Sequence, residues 1–183
     1  MPSYTPKLYQ FLALNDNYLK FFEFFERVQN RISTESYEIE IEHKMTNRMS
    51  LKALSNYNIN EDYNLLKETI IKTSVDSQLL RSRFTFIRNE CFKYLKKLDD
   101  YLENMKRYLT IEYRSQLEQV GIKTQTDKAY VIDSLFVEVE RFLTELKILI
   151  DTLEFAIKDI DQNSYAVLNL VKLLEITFKN SHL

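Results

Sequence analysis

The sequence predicts an all-α protein built around two long helices that pack against each other as an antiparallel hairpin. Its 183 residues include one glycine, two prolines and 45% hydrophobic residues. A sheet of many strands needs turn residues that this chain lacks, whereas residues of high helix propensity are plentiful. Two heptad patterns identify the arms of the hairpin. We therefore expect an elongated, coiled-coil-like fold with additional amino-terminal helices.

The second arm is predicted from Asp133 to Phe178, where seam residues recur at alternating spacings of four and three. This spacing keeps one apolar seam on the same side of a helix, so it predicts packing along the whole length. The seam residues are Leu135, Val139, Phe142, Leu146, Leu149, Leu153, Ala156, Ile160, Asn163, Val167, Leu170 and Leu174. The first arm is predicted from about Asp76 to about Gln119, with the same alternation. Its seam residues are Phe84, Ile87, Cys91, Tyr94, Leu98, Tyr101, Met105 and Tyr108.

Residues 1–58 are predicted to form separate, aromatic-rich helices, and residues 59–183 to form the hairpin. Thr5-Pro6 is typical of a helix start, because proline is favoured at the first helical position. Asn15-Asp16-Asn17 is expected to interrupt that first helix, since these side chains bond to nearby backbone groups. The chain thus begins with at least two helices.

The helix that follows Asn17 has an unusually wide apolar face. Phe21, Phe22 and Phe25 lie within one short stretch, and Phe24 widens it further. A single seam cannot cover such a face, so the helix either lies between neighbouring elements or docks on another subunit. Both arrangements bury Phe21, Phe22 and Phe25.

A third helix is predicted from Ser33-Thr34 to Asn56. The run from Tyr37 to Glu42 alternates like a strand, but a lone strand would have no partner, so we favour the helix. A loop at Ser55 to Asn60 follows. Asn60 is then expected to cap a short helix through Thr73.

The turn of the hairpin is predicted near residues 120–126. Gly121 is the only glycine and falls where a helix ends with a residue at positive φ. Thr124 with Asp127 forms a capping-box-like start for the next helix. These residues join the two arms.

The first arm is locally basic and the second arm is acidic. Between residues 81 and 97 the bases Arg81, Arg83, Arg88, Lys93, Lys96 and Lys97 accompany the single acid Glu90. One interpretation is that the arms orient each other by intramolecular charge pairing. The other is a polyanion site, because cations interleaved with aromatic rings are typical of single-stranded nucleic-acid binding. Phe86 and Phe92 lie off the seam and are the rings available for stacking.

No catalytic constellation is present in the sequence. Cys91 is alone and lies on the seam, where it is expected to be a core residue, and the only histidines are His43 and His182. No metal or cofactor motif can be assembled, so we expect a protein that is not an enzyme. Neither a signal peptide nor an apolar run long enough to span a membrane is present, which predicts a cytoplasmic protein.

The part of the chain from Leu79 to Phe178 resembles a known family. A long helix ends near Gly121, Lys123-Thr124 and an Ala-x-Val at Ala129 lead into the last helix, and Tyr165 and Asn169 stand in its apolar tail. This order resembles the UvsY family, the recombination mediator proteins of tailed phages. The resemblance implies an all-helical, ring-like oligomer that binds single-stranded DNA.

The same resemblance implies a role in DNA recombination and repair. Such a protein helps to load the phage recombinase on strands that are coated by a single-strand-binding protein. The family's DNA-binding element is a Lys-x-Arg pair, and this chain has Tyr108 and Thr110 at those positions. Lys106, Arg107 and Arg114 surround the site and are the candidates to replace the pair electrostatically.

The sequence therefore predicts a single-stranded DNA-binding recombination accessory protein that needs no cofactor. The alternative is a non-enzymatic viral structural or scaffolding protein whose coiled coil binds other proteins. The candidate nucleic-acid-binding residues are Arg81, Arg83, Arg88, Lys93, Lys106, Arg107 and Arg114. A homo-oligomer is expected in either case, acting in the host cytoplasm if the protein is viral. Its candidate interface residues are Phe21, Phe22, Phe25, Leu170 and Leu174.

Overall fold

A computed structural model describes residues 10–46 and 63–181, and the side chains of residues 10–46 and 65–176. Helices make up nearly all of these ranges, and no strand occurs within them. The helices are α1 (Asp16–Arg31), α2 (Thr34–Thr46), α3 (Tyr63–Glu112), α4 (Arg114–Gln119), α5 (Gln125–Ser134) and α6 (Val137–Ser181). The predicted all-α class is confirmed. None of the helices in these ranges is long and apolar enough to cross a membrane.

The chain divides into two compact units, and both long helices contribute to each of them. Unit 1 contains Met1–Thr34 and Cys91–Ile148, and unit 2 contains Glu35–Glu90 and Leu149–Leu183. The division differs from the predicted one at residue 58. Of the described amino-terminal helices, α1 contacts the hairpin arms in unit 1 and α2 contacts α3 in unit 2.

The hairpin itself forms as predicted, with α3 packed against α6. Along α6 the seam residues from Val139 to Ile160 are at most 5% exposed, and Val167 and Leu174 are buried as well. Asn163 and Leu170 are half-buried. On α3 the aliphatic seam residues, Phe84 and Cys91 are buried, while the three seam tyrosines stay half-buried at its edge.

The first arm is longer than the sequence predicts. A separate helix ending at Thr73 was expected, but α3 runs without a break from Tyr63 to Glu112. The Thr73 hydroxyl donates to the Thr69 carbonyl at 2.7 Å, so it is satisfied within the helix. Since neither glycine nor proline interrupts this range, nothing stops the helix there.

The turn between the arms follows the predicted chemistry. Gly121 has φ 92°, and the Ile122 amide donates to the Leu117 carbonyl at 2.9 Å, which is the bond of a Schellman motif. The Thr124 hydroxyl accepts from the Asp127 amide at 3.1 Å and caps α5. The non-helical link between α4 and α5 runs over residues 120–124, within the range predicted for the turn.

The amino-terminal predictions are confirmed where the structure describes them. Asn15 caps α1, so the chain is interrupted where the sequence predicts it. Residues Tyr37 to Glu42 lie in α2 and are helical. Thr5-Pro6, the predicted helix end at Asn56 and the Asn60 cap lie outside the described residues.

The phenylalanines of α1 pack inside unit 1. Phe21 is fully buried, with its ring edge-to-face against Phe136 and Tyr101 at centroid distances of 5.4 and 5.0 Å. Phe22 stacks on Phe136 at 6.0 Å, and Phe25 meets Phe142 at 5.7 Å. Phe21 and Phe25 are therefore buried by the chain's own helices, whereas Phe22 is half-buried, and docking on another subunit remains a prediction.

The other candidate interface residues pack inside unit 2. Leu174 is buried in a cluster with Leu66, Ile70 and Val167, and Leu170 packs against that cluster. Leu170 is half-buried, so part of its side chain remains at the surface. A homo-oligomer remains a prediction.

Asn15 ties the start of α1 to the end of α3. Its side-chain oxygen accepts from the Tyr18 amide at 2.9 Å, while its amide nitrogen donates to the Tyr113 and Tyr108 hydroxyls at 2.8 and 3.1 Å. We expect Asn15→Ala to destabilise unit 1 by about 1 to 2 kcal/mol, because it removes the cap and the tyrosine contacts together. Asn15→Ser keeps a capping oxygen and should recover about 1 kcal/mol of that loss. Urea denaturation measures both values, and equal stabilities for the two variants would contradict a capping role.

Candidate nucleic-acid interface

Two of the predicted cations in unit 2 face acids of the second arm. The Arg81 Nε donates to Asp161 Oδ1 at 2.6 Å, and its Nη2 donates to Oδ2 at 3.3 Å. Arg88 Nη1 lies 3.6 Å from Glu154 Oε1. These contacts are the intramolecular charge pairing that the sequence left as one of two alternatives.

Arg83 has a partner that the sequence did not indicate. Its Nε and Nη2 donate to the two carboxylate oxygens of Glu40 in α2, each at 3.0 Å. The hydrogen bond from Arg83 lowers the pKa of Glu40 below its ordinary value of 4.5, although burial opposes the shift. Glu40 belongs to the stretch that alternates like a strand. Glu40 reaches Arg83 because this stretch forms a helix that lies beside α3.

Lys106 joins α3 to the second arm within unit 1. Its Nζ lies 2.8 Å from Asp133 Oδ1 and also binds Glu140. Burial would lower the pKa of Lys106, but the hydrogen bonds to Asp133 and Glu140 outweigh it, so that pKa is raised. This lysine is therefore held by two carboxylates.

Arg107 and Arg114 pair with acids one turn away on their own helices. Arg107 Nη2 lies 3.1 Å from Glu103 Oε2, and Arg114 Nε lies 3.4 Å from Glu118 Oε1. Both pairs are largely exposed, and exposed pairs at this spacing are weak. A phosphate could replace either carboxylate at small cost.

The helix α1 brings a second set of cations to α3. Lys20, Phe24, Arg27 and Arg31 follow at intervals of four, three and four, so they lie on one side of α1. From Lys20 to Arg31 this row spans about 16 Å along the helix axis. The buried side of the helix, with Phe21, Phe25 and Val28, lies next to this row.

This side of α1 lies along the tyrosines of α3. Phe24 contacts Tyr101 with a centroid distance of 5.7 Å, and the Arg31 guanidinium carbon lies 5.5 Å from the Tyr94 ring centroid. The two helices are therefore antiparallel here. Lys97 lies between Tyr94 and Tyr101 on α3, as Arg27 lies between Phe24 and Arg31 on α1. Arg27 and Lys97 are consequently level with each other.

We call this surface the α1–α3 strip. Its cations are Lys20, Arg27, Arg31, Lys93 and Lys97, and its rings are Phe24, Tyr94 and Tyr101. Lys93 is the only one of the predicted candidates that belongs to it, with its Nζ 5.6 Å from the Tyr94 ring centroid. All five cations are exposed, and the rings are half-buried.

Three cations of the α1–α3 strip lack the acidic partners that most of the predicted candidates have. Within the described ranges, Lys20, Arg27 and Lys97 make no ion pair with an acid. Arg27 instead donates from Nε to the Glu23 backbone carbonyl at 3.2 Å. Their positive charges are therefore available to a ligand.

The α1–α3 strip combines the two features that single-stranded nucleic acid requires, which are cations for phosphates and aromatic faces for bases. The sequence alone does not reveal the strip, because its two halves are about seventy residues apart. The spacing of Lys20, Arg27 and Arg31 was visible, but nothing in it indicates which helix lies beside them. By contrast, Phe86 and Phe92 are 60% and 59% exposed, in agreement with their predicted places off the seam.

Comparison with known proteins adds no further assignment. No family model, curated protein or solved structure matches this chain. In the part of the chain that the structure describes, no three His, Cys, Asp or Glu side chains are grouped so that they could hold a metal ion. The candidate site consequently rests on the geometry of the α1–α3 strip.

The pairing of Arg83 with Glu40 has a pH dependence that can be measured. Because the pKa of Glu40 is lowered in the folded protein, the pair contributes stability above pH 4.5 and loses it as the pH falls through the folded pKa. We expect Arg83→Ala to lower stability at neutral pH by about 0.2 to 1 kcal/mol, the range for exposed pairs. The difference from wild type should disappear in acid.

Arg107→Ala is the matched control, since its exposed partner Glu103 lies on the same helix. At neutral pH it should change stability by less than Arg83→Ala does. Denaturation curves at several pH values measure both. If Arg83→Ala leaves stability unchanged and weakens oligonucleotide binding instead, Arg83 belongs to a nucleic-acid site.

Proposed function

We propose that this protein is a non-enzymatic accessory protein that binds single-stranded nucleic acid through the α1–α3 strip. The observation that carries the proposal is the set of exposed cations without acidic partners, Lys20, Arg27 and Lys97, interleaved with aromatic rings. A cation already held by a carboxylate must exchange that partner for a phosphate. A cation without an acidic partner exchanges only water and counterions, so it contributes more to phosphate binding.

The chemistry of the strip favours a single strand over a duplex. Aromatic side chains beside cations allow bases to stack, which contributes about 1 to 3 kcal/mol per base. A paired base in a duplex has no free face to offer. Phe24 and Tyr101 are half-buried and in contact, so they form a fixed edge on which an unpaired base can rest.

The resemblance of residues 79–178 to the UvsY family extends the proposal. We propose that the protein acts in recombination as a mediator, with a recombinase and a single-strand-binding protein as partners. In this role it would work as a homo-oligomer in the cytoplasm of a phage-infected cell. The strip supplies only the DNA-binding part of that role.

A second candidate function is that of a structural or scaffolding protein that binds other proteins. The observation that favours it is the pairing of Arg81, Arg88 and Lys106 with acids of the second arm. In such a protein the charge asymmetry of the arms would serve only to orient the hairpin. The two candidates differ in whether the protein binds an oligonucleotide in a salt-dependent way.

The test is a salt titration of oligonucleotide binding. A labelled oligothymidine should bind, and its affinity should fall steeply between about 50 and 200 mM salt. In the double variant Arg27→Glu with Lys97→Glu we expect affinity to fall at least about 10-fold. The slope of log affinity against log salt should shrink by about 0.7 for each lost phosphate contact. Fluorescence anisotropy measures both quantities.

A matched control carries the same charge change on another surface of unit 1. Lys123 and Lys147 are exposed and, within the described residues, have no acidic partner. Reversing both to Glu should leave the salt slope unchanged. Melting curves should show all variants folded, because exposed residues away from special features change stability by about 0.5 kcal/mol or less. Absent or salt-independent binding in the wild type would favour the scaffolding function.

A further inference from the structure

The part of α3 in unit 2 carries exposed apolar side chains that the packing of the unit does not use. Ile71, Val75 and Leu79 are 54%, 50% and 65% exposed, and they follow at intervals of four, so they lie on one side of the helix. Phe86, 60% exposed, lies two turns beyond Leu79 on the same side. Leu65, 53% exposed, lies at the edge of the row. We call these five residues the α3 row.

The spacing of the α3 row is nearly symmetric about Val75. Leu79 and Ile71 lie four residues to either side, and Phe86 and Leu65 lie eleven and ten residues away. If two copies of this helix pack antiparallel about Val75, Ile71 of one is level with Leu79 of the other. Phe86 then meets Leu65. A two-fold interface requires such a self-complementary surface, whereas an unrelated partner gives no reason for the symmetry.

The charges beside the α3 row are self-complementary as well. Lys72 and Asp76 border it on the same side, and both are exposed. Within the described ranges neither makes an ion pair. In an antiparallel pair the same sides of the two helices face each other, so Lys72 of one copy comes within reach of Asp76 of the other. The two-fold axis makes this contact twice.

We propose that the α3 row is the interface of a homodimer, in which α3 packs antiparallel on α3 of a second copy with the two-fold axis at Val75. Apolar side chains cover each other in five layers, and the Lys72–Asp76 contacts border them. Opposite charges at such a border fix the register of the pair more than they add affinity. This inference is independent of the function proposed for the α1–α3 strip.

The first test places a charge on the two-fold axis. In Val75→Glu two carboxylates face each other, so we expect the dissociation constant of the dimer to rise at least about 10-fold. Phe155→Glu, at a side chain that is 75% exposed on α6, is the control and should leave it unchanged. Sedimentation velocity across micromolar concentrations measures the equilibrium. A wild-type monomer throughout this range, or a Val75→Glu dimer of wild-type affinity, overturns the proposal.

A second test uses the charges. Lys72→Glu should weaken the dimer, because Asp76 of the other copy would then face a carboxylate. Adding Asp76→Lys to the same chain restores opposite charges across the axis, so the double variant should return to within about twofold of wild type. If the double variant dimerises even more weakly than Lys72→Glu alone, the antiparallel register is contradicted.

A third test does not depend on the stability of a charged variant. Val75→Cys places two thiols on the axis, where a disulfide can span the short distance between backbones. Gln78→Cys places the two thiols apart along the helix axes, so it serves as the control. The native Cys91 is buried, so it stays out of the reaction. With dioxygen as the oxidant that accepts the two electrons and two protons of each thiol pair, cross-linked dimer should accumulate at position 75 only. Equal rates at both positions overturn the proposal.

Discussion

The burial of the α6 seam is the constraint on which the rest of the structure depends. A helix of 45 residues with an apolar side along its length is unstable in water until another element covers that side. The first arm, α3, supplies the cover because its own seam has the same spacing. Once the two seams face each other, the turn at Gly121 fixes their register, and in unit 1 the helix α1 packs on the pair.

The charge pairs follow from that register. Arg81 and Arg88 lie two turns apart on α3, and they meet Asp161 and Glu154, which are two turns apart on α6 in the reverse order. Such pairs contribute little stability when they are exposed, but they oppose any register that would bring like charges together. The charges of Arg81 and Arg88 are thus explained within the chain. This explanation reduces the value of these arginines as evidence for a nucleic-acid site.

The features that the sequence predicted are those set by neighbours in the chain. The heptad spacing predicted the seam of α6. The glycine at position 121 predicted a helix end with positive φ, and the hydroxyl of Thr124 predicted a helix cap. Each depends on residues within a few positions. The sequence could not predict that Phe21 packs against Tyr101, since a wide apolar face shows that a helix is covered without showing by what. The α1–α3 strip depends on that same contact, and it was missed for the same reason.

The packing of the described residues does not explain the composition of the α1–α3 strip or of the α3 row. Lys20, Arg27 and Lys97 stabilise no partner among the described acids, and the α3 row of apolar side chains covers no core. A solvated lysine adds almost nothing to the free energy of folding. An exposed leucine adds nothing to it either, because its apolar surface stays in water. Folding alone would therefore accept many other residues at these positions. The stability of a single chain does not require the arrangement of cations around aromatic rings in the α1–α3 strip. It does not require the symmetry of the α3 row about Val75 either. Each pattern instead matches what a second molecule would recognise, and this is why the two proposals rest on them.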